Sequence, residues 1–224
     1  MNNYGDPVWE LIFSSRSWGK YPPEEVIRFI MHVKHYLKRK KLLCLDIGCG
    51  IGACTWFIAK EIRKVVAIDG SKSALCNLKK IFKEFYISLE NIKIVHGDII
   101  FPENYLNNSF DILIDNYSLY ANSAINIRKA YSQYYHLLNK GGYFLTNCFG
   151  KKTTGFNTGV KIDSNTFRNI EKGVLKDKGI TTFWDREEIN NMFKEIGYQI
   201  VKIENVVENR NSIFIEKHIT YLMK

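Results

Sequence analysis

The sequence feature that most constrains the fold is a short apolar run that ends in three closely spaced glycines. The run KLLCLDIG, at residues 41–48, has the length and character of a strand buried on both faces. CGIG follows, and then ACTWFIAKEI, whose apolar spacing is typical of a helix. A glycine-rich turn between a strand and a helix lets the backbone approach a ligand and points the first N–H groups of the helix at it. We therefore expect a ligand at the carboxyl end of the first strand.

The alternation of strand and helix continues along the chain. KVVAIDG, NIKIVHGD, FDILIDN and GYFLTNCF are predicted strands, and Ser71 is the predicted N-cap of a helix with a clear apolar stripe. Units of this length favour a parallel sheet with right-handed crossovers and helices on both faces. The sequence therefore predicts a doubly wound α/β fold.

Both ends of the chain add to this repeat. Residues 22–25, PPEE, predict the start of an amphipathic helix, and the basic run Lys38 to Lys41 is expected to be its solvated carboxyl end. Near the other end, Asp185 and Glu188 form a predicted capping box, and Gly197 a predicted helix end. The strands YQIVKIENV and SIFIEKHITYLMK are joined only by VENRN or so, which is too short for a parallel crossover. The last strand is therefore expected to run antiparallel.

Composition limits the class of protein. With 224 residues, of which 46% are hydrophobic, the chain can bury one core, and a single domain is favoured. The amino terminus lacks the pattern of a signal peptide, and no segment nears the ~20 apolar residues of a membrane span, so we expect a cytoplasmic protein without a membrane partner. Five cysteines without a C-x-x-C pair argue against a disulfide framework and a structural zinc site. The net charge of +9 favours anionic partners without choosing among them.

The glycines of LDIGCGIGA are compatible with two kinds of cofactor. They fit the G-x-G-x-x-G/A pattern of dinucleotide-binding enzymes, with Ala53 in the last place, and equally a tighter G-x-G-x-G loop preceded by an acid. Acids also come at three predicted strand ends: Asp46, Asp69 and Asp98. Carboxylates that meet at one edge of a sheet suit a ligand with an ammonium group, a ribose diol and an adenine amine better than a dianionic pyrophosphate.

Five segments in order resemble the motifs of class I S-adenosylmethionine-dependent methyltransferases: LDIGCGIG, VVAIDGS, HGDI, FDILIDNYSLY and LLNKGGYFLTNCF. The resemblance covers nearly everything from Lys41 to the carboxyl terminus. The segments outside the motifs are similar to stand-alone bacterial enzymes for small molecules, some of them in natural-product or surface-glycan pathways. The resemblance implies a Rossmann-like, seven-stranded, mostly parallel doubly wound sheet with an antiparallel last strand. It also implies S-adenosylmethionine as the cofactor and S-adenosylhomocysteine as the product.

The resemblance further implies which residues hold the cofactor. Three glycines lie against its methionine part: Gly48, Gly50 and Gly52. Asp46 lies near its amino group, Asp69 accepts from the ribose hydroxyls, and Asp98 with Ile99 frames the adenine. The other residues expected at the cofactor are Cys49, Gly70, Ser71 and Asn116.

The domain, residues 1–224, is expected to have four parts. They are an N-terminal lid and helix at 1–40, a cofactor-binding core at 41–149, a substrate cap insertion at 150–183, and a C-terminal helix and β-hairpin at 184–224. Residues 1–23 and 150–183 stand outside the repeat, and we expect both over the carboxyl ends of the strands, where such sheets bind ligands. The substrate-binding candidates in them are Trp18, Lys20, Tyr21, Lys151 and Arg168.

The catalytic candidates follow from the chemistry of methyl transfer. Displacement at a sulfonium depends mainly on holding the acceptor close and aligned, although an oxygen acceptor of high pKa also needs a base. Asn116, Tyr117 and Tyr120 follow the fourth strand, and His96 at the end of the third strand is a candidate base. The sequence has NYSL where the amide- and base-modifying branch of the family carries an Asn/Asp-Pro-Pro-Tyr/Phe box. That departure disfavours nucleobase and glutamine amines as acceptors.

Three hypotheses about function remain open. The favoured one is O- or N-methylation of a small polar, anionic metabolite, phosphorylated or nucleotide-linked, by a monomer or homodimer without a metal. The alternative is an RNA or protein methyltransferase, which the charge permits, although no appended nucleic-acid-binding module is visible. The third is a non-catalytic protein that keeps the fold, or a nicotinamide enzyme that uses the same glycines.

Overall fold

The computed structural model describes residues 4–16, 18–37, 41–107 and 109–224, and in these ranges ten strands form one sheet. In chain order they are β1 (Leu43–Ile47), β2 (Lys64–Asp69), β3 (Ile92–His96), β4 (Phe110–Asn116), β5 (Leu138–Gly150), β6 (Val160–Lys161), β7 (Thr166–Arg168), β8 (Thr181–Trp184), β9 (Gln199–Arg210) and β10 (Ile213–Met223). Seven of these lie in the order β3-β2-β1-β4-β5-β10-β9, and among the seven only β10 runs opposite to the others. The predicted mostly parallel sheet with an antiparallel last strand is confirmed.

Helices cover both faces of the sheet. Those in the described ranges are α1 (Val8–Ser15), α2 (Glu24–Tyr36), α3 (Ala53–Ile62), α4 (Lys72–Glu84), α5 (Ala124–Leu137) and α6 (Arg186–Ile196), with 3₁₀ turns at Pro102–Asn104 and Gly173–Leu175. In β1, Cys44 packs in a cluster with residues of α2 and α3, whereas Leu45 and Ile47 pack in a cluster with residues of α5 and α6. A strand buried on both faces needs a continuous apolar run, which is what KLLCLDIG supplies.

The predicted helix signals hold. The Ser71 hydroxyl accepts a hydrogen bond from the backbone N–H of Ala74 and caps α4. At α6, Asp185 and Glu188 form the reciprocal capping box, and Gly197 ends the helix with a φ of 109°. Ser71 and Asp185 satisfy N–H groups that the start of a helix leaves unpaired, and the Gly197 N–H donates to carbonyl groups at the end of α6, so these residues fix where the helices begin and end.

Two segments extend beyond the repeating core. After β5, the chain forms β6, β7 and β8. Across the sheet, β8 pairs in parallel with β5 at Phe149 and Gly150, β7 pairs antiparallel with β8, and β6 pairs antiparallel with β7. At the amino terminus, the carbonyl oxygen of Tyr4 lies so close to Gly70 that a Cβ there would stand 2.4 Å from it. Both segments therefore lie at the carboxyl ends of the parallel strands.

The structure corrects two details and leaves one untested. β9 and β10 are joined by Asn211 and Ser212 alone, both with positive φ, so the hairpin turn is tighter than the expected VENRN link. Helix α1 was not predicted; the Asp6 carboxylate accepts from the N–H of Val8 at its start. Residues 38–40 of the basic run lie outside the described residues. Among the described helices, none has the length and apolar character needed to cross a membrane.

Candidate active site

A cavity of about 330 Å³ opens where β1 to β4 end, within the size range of small-molecule sites. The name floor is used for the lining residues at the carboxyl ends of these strands and in the turns that follow: Asp46, Gly48, Cys49, Gly50, Ile51, Asp69, Gly70, Ser71, Asp98, Ile99, Asn116, Tyr117, Ser118 and Tyr120. We call the lining residues of 4–18, together with Lys178 of the insertion, the roof: Tyr4, Gly5, Asp6, Pro7, Trp9, Glu10, Phe13, Trp18 and Lys178. The cavity thus lies between the sheet and the two segments outside the repeat.

The glycine turn of the floor depends on positive φ angles, which L-residues rarely adopt. They are 62° at Gly48, 53° at Gly50 and 86° at Gly52. A Cβ on Gly48 would stand 2.2 Å from the Cβ of Ser118, and one on Gly52 would stand 2.6 Å from the Cγ of Leu78. Gly48 and Gly50 line the cavity, but Gly52 does not, because α4 packs against it. The structure thus gives Gly52 a role in the packing of α4, and its contact with the cofactor stays a prediction.

Asp69 is the most firmly held acid of the floor. One of its carboxylate oxygens accepts from the N–H of Gly50 and the other from the N–H of Ser71, both at 2.8 Å. Burial raises the pKa of Asp69, and these two hydrogen bonds oppose the rise. Each oxygen still has a free lone pair, so a ligand with two adjacent hydroxyl groups can donate to the carboxylate.

Asp46 lies at the end of β1 and is fully buried. The Thr55 hydroxyl donates to its carboxylate at 2.6 Å. Burial raises the pKa of Asp46 to about 7, the Thr55 hydrogen bond opposes the rise, and the nearby carboxylates of Asp69 and Asp115 add to it. A cation placed beside this group would favour its charged form, so Asp46 is suited to receive an ammonium group.

The third strand supplies one cavity residue and one support. Asp98 lines the cavity, and its carboxylate accepts from the N–H of Ile100 at 2.8 Å. His96 does not line the cavity: its Nε2 lies 3.0 Å from the carbonyl oxygen of Gly70, and its ring contacts the ring of Tyr4. The structure therefore places His96 under the amino-terminal segment and outside the lining of the cavity, and its role as a base stays a prediction.

The candidates after β4 all line the cavity. The side chain of Asn116 accepts from the Asn147 amide at 2.9 Å, which fixes its orientation. Tyr117 has a positive φ of 56°, and its ring lies 5.0 Å from that of Phe149. Burial raises the pKa of Tyr117 and of Tyr120 far above neutrality. Neither phenol can act as a base near neutral pH, so this part of the floor can shape and position an acceptor but not deprotonate it.

The roof is anchored by two acids. Glu10 of α1 accepts from the hydroxyls of Ser71 and Ser73 at 2.6 and 2.5 Å, at the amino end of α4. Asp6 accepts from the N–H of Val8 and from the N–H of Ile180, which ties the amino-terminal segment to the insertion. Sequence analysis missed these roof residues. The available signal was DPVWELIF, in which a turn pair precedes apolar residues at helical spacing.

Most of the predicted substrate residues lie elsewhere. Trp18 lines the cavity, but the other four candidates do not. Lys20 pairs with Glu84 on the surface, and Tyr21 is exposed and packs against Trp56 and Phe85. Lys151 pairs with the capping-box residues of α6 at 3.2 and 2.6 Å, and Arg168 is exposed on β7. Two of these four residues have acidic partners of their own and none lines the cavity, so their contact with a substrate stays a prediction.

Comparison with known sequences decides the family. The family described as "Methyltransferase domain" matches residues 38–203, most of the chain. The chain belongs to this family. The resemblance to class I S-adenosylmethionine-dependent methyltransferases and the cofactor that it implied are thereby confirmed.

Comparisons of this chain with individual proteins agree with the family assignment. This methyltransferase is 35% identical over 84 residues to the demethylmenaquinone methyltransferase of Staphylococcus aureus (strain MRSA252), and the match covers 36% of this chain and 33% of that enzyme. Its fold is similar to that of an S-adenosylmethionine-dependent methyltransferase from Clostridium acetobutylicum, with a TM-score of 0.66, 16% identity, and 96% and 94% of the two chains covered. It is also similar to the 1,6-didemethyltoxoflavin-N1-methyltransferase of Burkholderia thailandensis, crystallised with S-adenosylhomocysteine, with a TM-score of 0.63, 15% identity, and 90% and 78% covered.

Proposed function

We propose that this methyltransferase transfers the methyl group of S-adenosylmethionine to an oxygen or nitrogen of a small, polar, anionic acceptor. The observation that carries the proposal is Asp69, held by two backbone N–H groups in the floor of a cavity that the roof covers. A buried carboxylate in this position suits a ligand with hydroxyl donors, and a roofed cavity of about 330 Å³ suits a small molecule better than a nucleic acid or a protein surface.

The residues of the floor fit this cofactor. Asp46 would hold the amino group, since a neighbouring cation offsets the cost of burying its charge. Asp69 would accept from the ribose hydroxyls, and Asp98 and Ile99 would frame the adenine. The methionine part would lie against the glycine turn: Gly48, Cys49 and Gly50. Three buried or half-buried carboxylates suit a ligand with several donors and a positive charge, and they oppose the binding of a pyrophosphate.

The catalytic contribution of the chain would be mainly positional. When bound, the cofactor supplies an electrophilic methyl group on a sulfonium. Asn116, Tyr117 and Tyr120 would set the position of the acceptor, and Trp9 and Trp18 would exclude water above it. Because burial raises the pKa of both tyrosines, neither would deprotonate the acceptor at physiological pH, and an oxygen of low pKa or an unprotonated nitrogen would suit them best.

The cellular setting is also a proposal. All five cysteines are free thiols and four are buried, which fits a reducing compartment such as the cytoplasm. The natural-product and surface-glycan pathways of similar enzymes make phosphorylated and nucleotide-linked metabolites the first acceptors to test.

The test is transfer of an isotopically labelled methyl group to separated metabolite pools. We expect label in an anionic small-molecule pool, and loss of that label with Asp69→Asn. An RNA or protein methyltransferase would instead label the macromolecular fraction. Label only in that fraction, or in none, would overturn the proposal.

A further inference from the structure

Three aromatic residues of the roof and Tyr120 of the floor form an aromatic chamber on the roof side of the cavity. Trp9 lies edge-on to Trp18 and to Tyr120, with ring centroids 6.2 and 6.4 Å apart, and Phe13 lies 5.8 Å from Trp18. All four residues line the cavity. Flat aromatic walls favour flat ligands, because stacked and edge-to-face ring contacts contribute beyond the area that they bury.

Lys178 is the one cationic side chain among the described residues that line this cavity. It lies in the turn before β8, is half-buried, and places its Nζ 5.4 Å from the centre of the Trp18 ring. Burial lowers its pKa, and the positive charge of Arg16 lowers it further. Within the described ranges, no carboxylate lies within ion-pair distance of Lys178 or Arg16.

The acids of the roof already have partners. Glu10 accepts from Ser71 and Ser73, and Asp6 accepts from the backbone N–H groups of Val8 and Ile180. The acids of the floor lie on the cofactor side. The donors to the two roof acids are neutral, so both carboxylates keep their charge, but within the described ranges neither lies within ion-pair distance of Lys178 or Arg16. Lys178 therefore has no acidic partner there, and the charge of Arg16 adds repulsion that an anion beside Lys178 would relieve.

We infer that Trp18 and Lys178 form an acceptor subsite for a flat aromatic ring that carries an anionic group, a carboxylate or a phosphate. The ring lies against Trp9, Trp18 and Tyr120, and the anionic group pairs with Lys178. This inference rests on the proposed function and narrows its acceptor class. The inference assigns the contact with an anion to Lys178 and not to Lys151 or Arg168, which lie outside the cavity.

The test measures binding to the protein saturated with S-adenosylhomocysteine. The probes are 4-hydroxybenzoate, indole-3-acetate and phenyl phosphate, with 4-hydroxybenzamide as the neutral match, cyclohexanecarboxylate as the non-aromatic match, and phenyltrimethylammonium as the cationic match. Quenching of tryptophan fluorescence and saturation-transfer NMR give the affinities. We expect at least one aromatic anion to bind about tenfold or more tightly than its matches.

Three variants assign the preference to Lys178. Lys178→Met should remove the advantage of the anion, Lys178→Arg should retain most of it, and Lys176→Met, an exposed lysine of the same turn, should leave it unchanged. Binding of S-adenosylhomocysteine should be the same in all three. If the cofactor product fails to bind, the proposed function fails. If it binds but no aromatic anion does, or the neutral or cationic probe binds better, or Lys178→Met keeps the preference, the subsite is wrong.

Discussion

The floor and the roof of the cavity are built in different ways. The floor comes from turns after strands that are paired along the sheet, and its polar groups are held by backbone N–H groups and buried hydroxyls. The roof comes from residues 4–16, Trp18 and Lys178, which are far apart in the sequence and meet through side chains. The part that repeats across a fold class is thus the part fixed by the backbone, and the part that we propose to select an acceptor is supplied by side chains.

The largest expected effect tests whether the floor is fixed by its backbone. Gly48→Ala places a methyl group 2.2 Å from the Cβ of Ser118 at a φ of 62°, and we expect the free energy of unfolding to fall by about 3 kcal/mol or more. Gly141→Ala is the matched control, since its φ is 73° but nothing lies within 4 Å, and it should cost about 1 kcal/mol. Urea unfolding gives both values. Equal losses of stability would mean that the glycine turn accommodates a methyl group by shifting. The floor would then not be fixed by its backbone, and the contrast in construction between floor and roof would be false.

The second effect tests the role of the floor in cofactor binding. Asp69→Asn should weaken the affinity for S-adenosylhomocysteine by about 2 kcal/mol, roughly 30-fold, because the ribose hydroxyls lose a charged acceptor. Calorimetry measures the affinity, and urea unfolding verifies that the variant is folded. Asp177→Asn makes the same change at an exposed site outside the cavity and should have no effect. Unchanged binding in Asp69→Asn would remove the main support for the floor as the cofactor site.

The third prediction concerns the protonation of Asp46 in the floor and its effect on ligand affinity. The pKa of Asp46 is raised to about 7, so much of this carboxyl is neutral at pH 6 and charged at pH 8. The ammonium group of the ligand favours the charged form, and its binding therefore releases a proton from Asp46 at low pH. We expect the affinity for S-adenosylhomocysteine to rise about tenfold from pH 6 to pH 8. Asp46→Asn should flatten this dependence, and a variant that keeps it would assign the titration to another group.

The smallest effect concerns the attachment of the roof. Hydrogen bonds from Ser71 and Ser73 outweigh the effect of burial and lower the pKa of Glu10, so this contact is charged at neutral pH. Glu10→Gln should loosen it by about 1 kcal/mol and speed hydrogen exchange in residues 4–16 about fivefold, with β1 and β4 unchanged. Glu187→Gln, at an exposed glutamate of α6, should alter neither region. Faster exchange in the strands as well would show that roof and floor open together.

The sequence predicts the floor well because its signals are local. LDIGCGIG and VVAIDGS carry a strand, its turn and its acid in a few residues, so the register of the strands brings Asp46 and Asp69 to one edge. The positions of Asn116 and Tyr117 can be predicted in the same way, because both come at the end of a recognisable strand. Gly52 and His96 are the exceptions, because neighbouring side chains and the amino-terminal segment occupy the space beside them.

The roof could be predicted only in outline. The sequence shows that residues 1–23 and 150–183 stand outside the repeat, but not which of their charges has an acidic partner. Lys151 has two such partners and points away from the cavity, while Lys178 has none among the described residues. That difference depends on tertiary contacts between distant segments, which neither spacing nor periodicity encodes.

The most direct test of the account is a crystal structure of the protein with S-adenosylhomocysteine. We predict that the ribose hydroxyls lie within hydrogen-bond distance of Asp69 and the amino group beside Asp46, with the aromatic chamber under the roof left free for an acceptor. A cofactor product that binds in the roof half, without contact to Asp69, would contradict the division of the cavity into a cofactor floor and an acceptor roof.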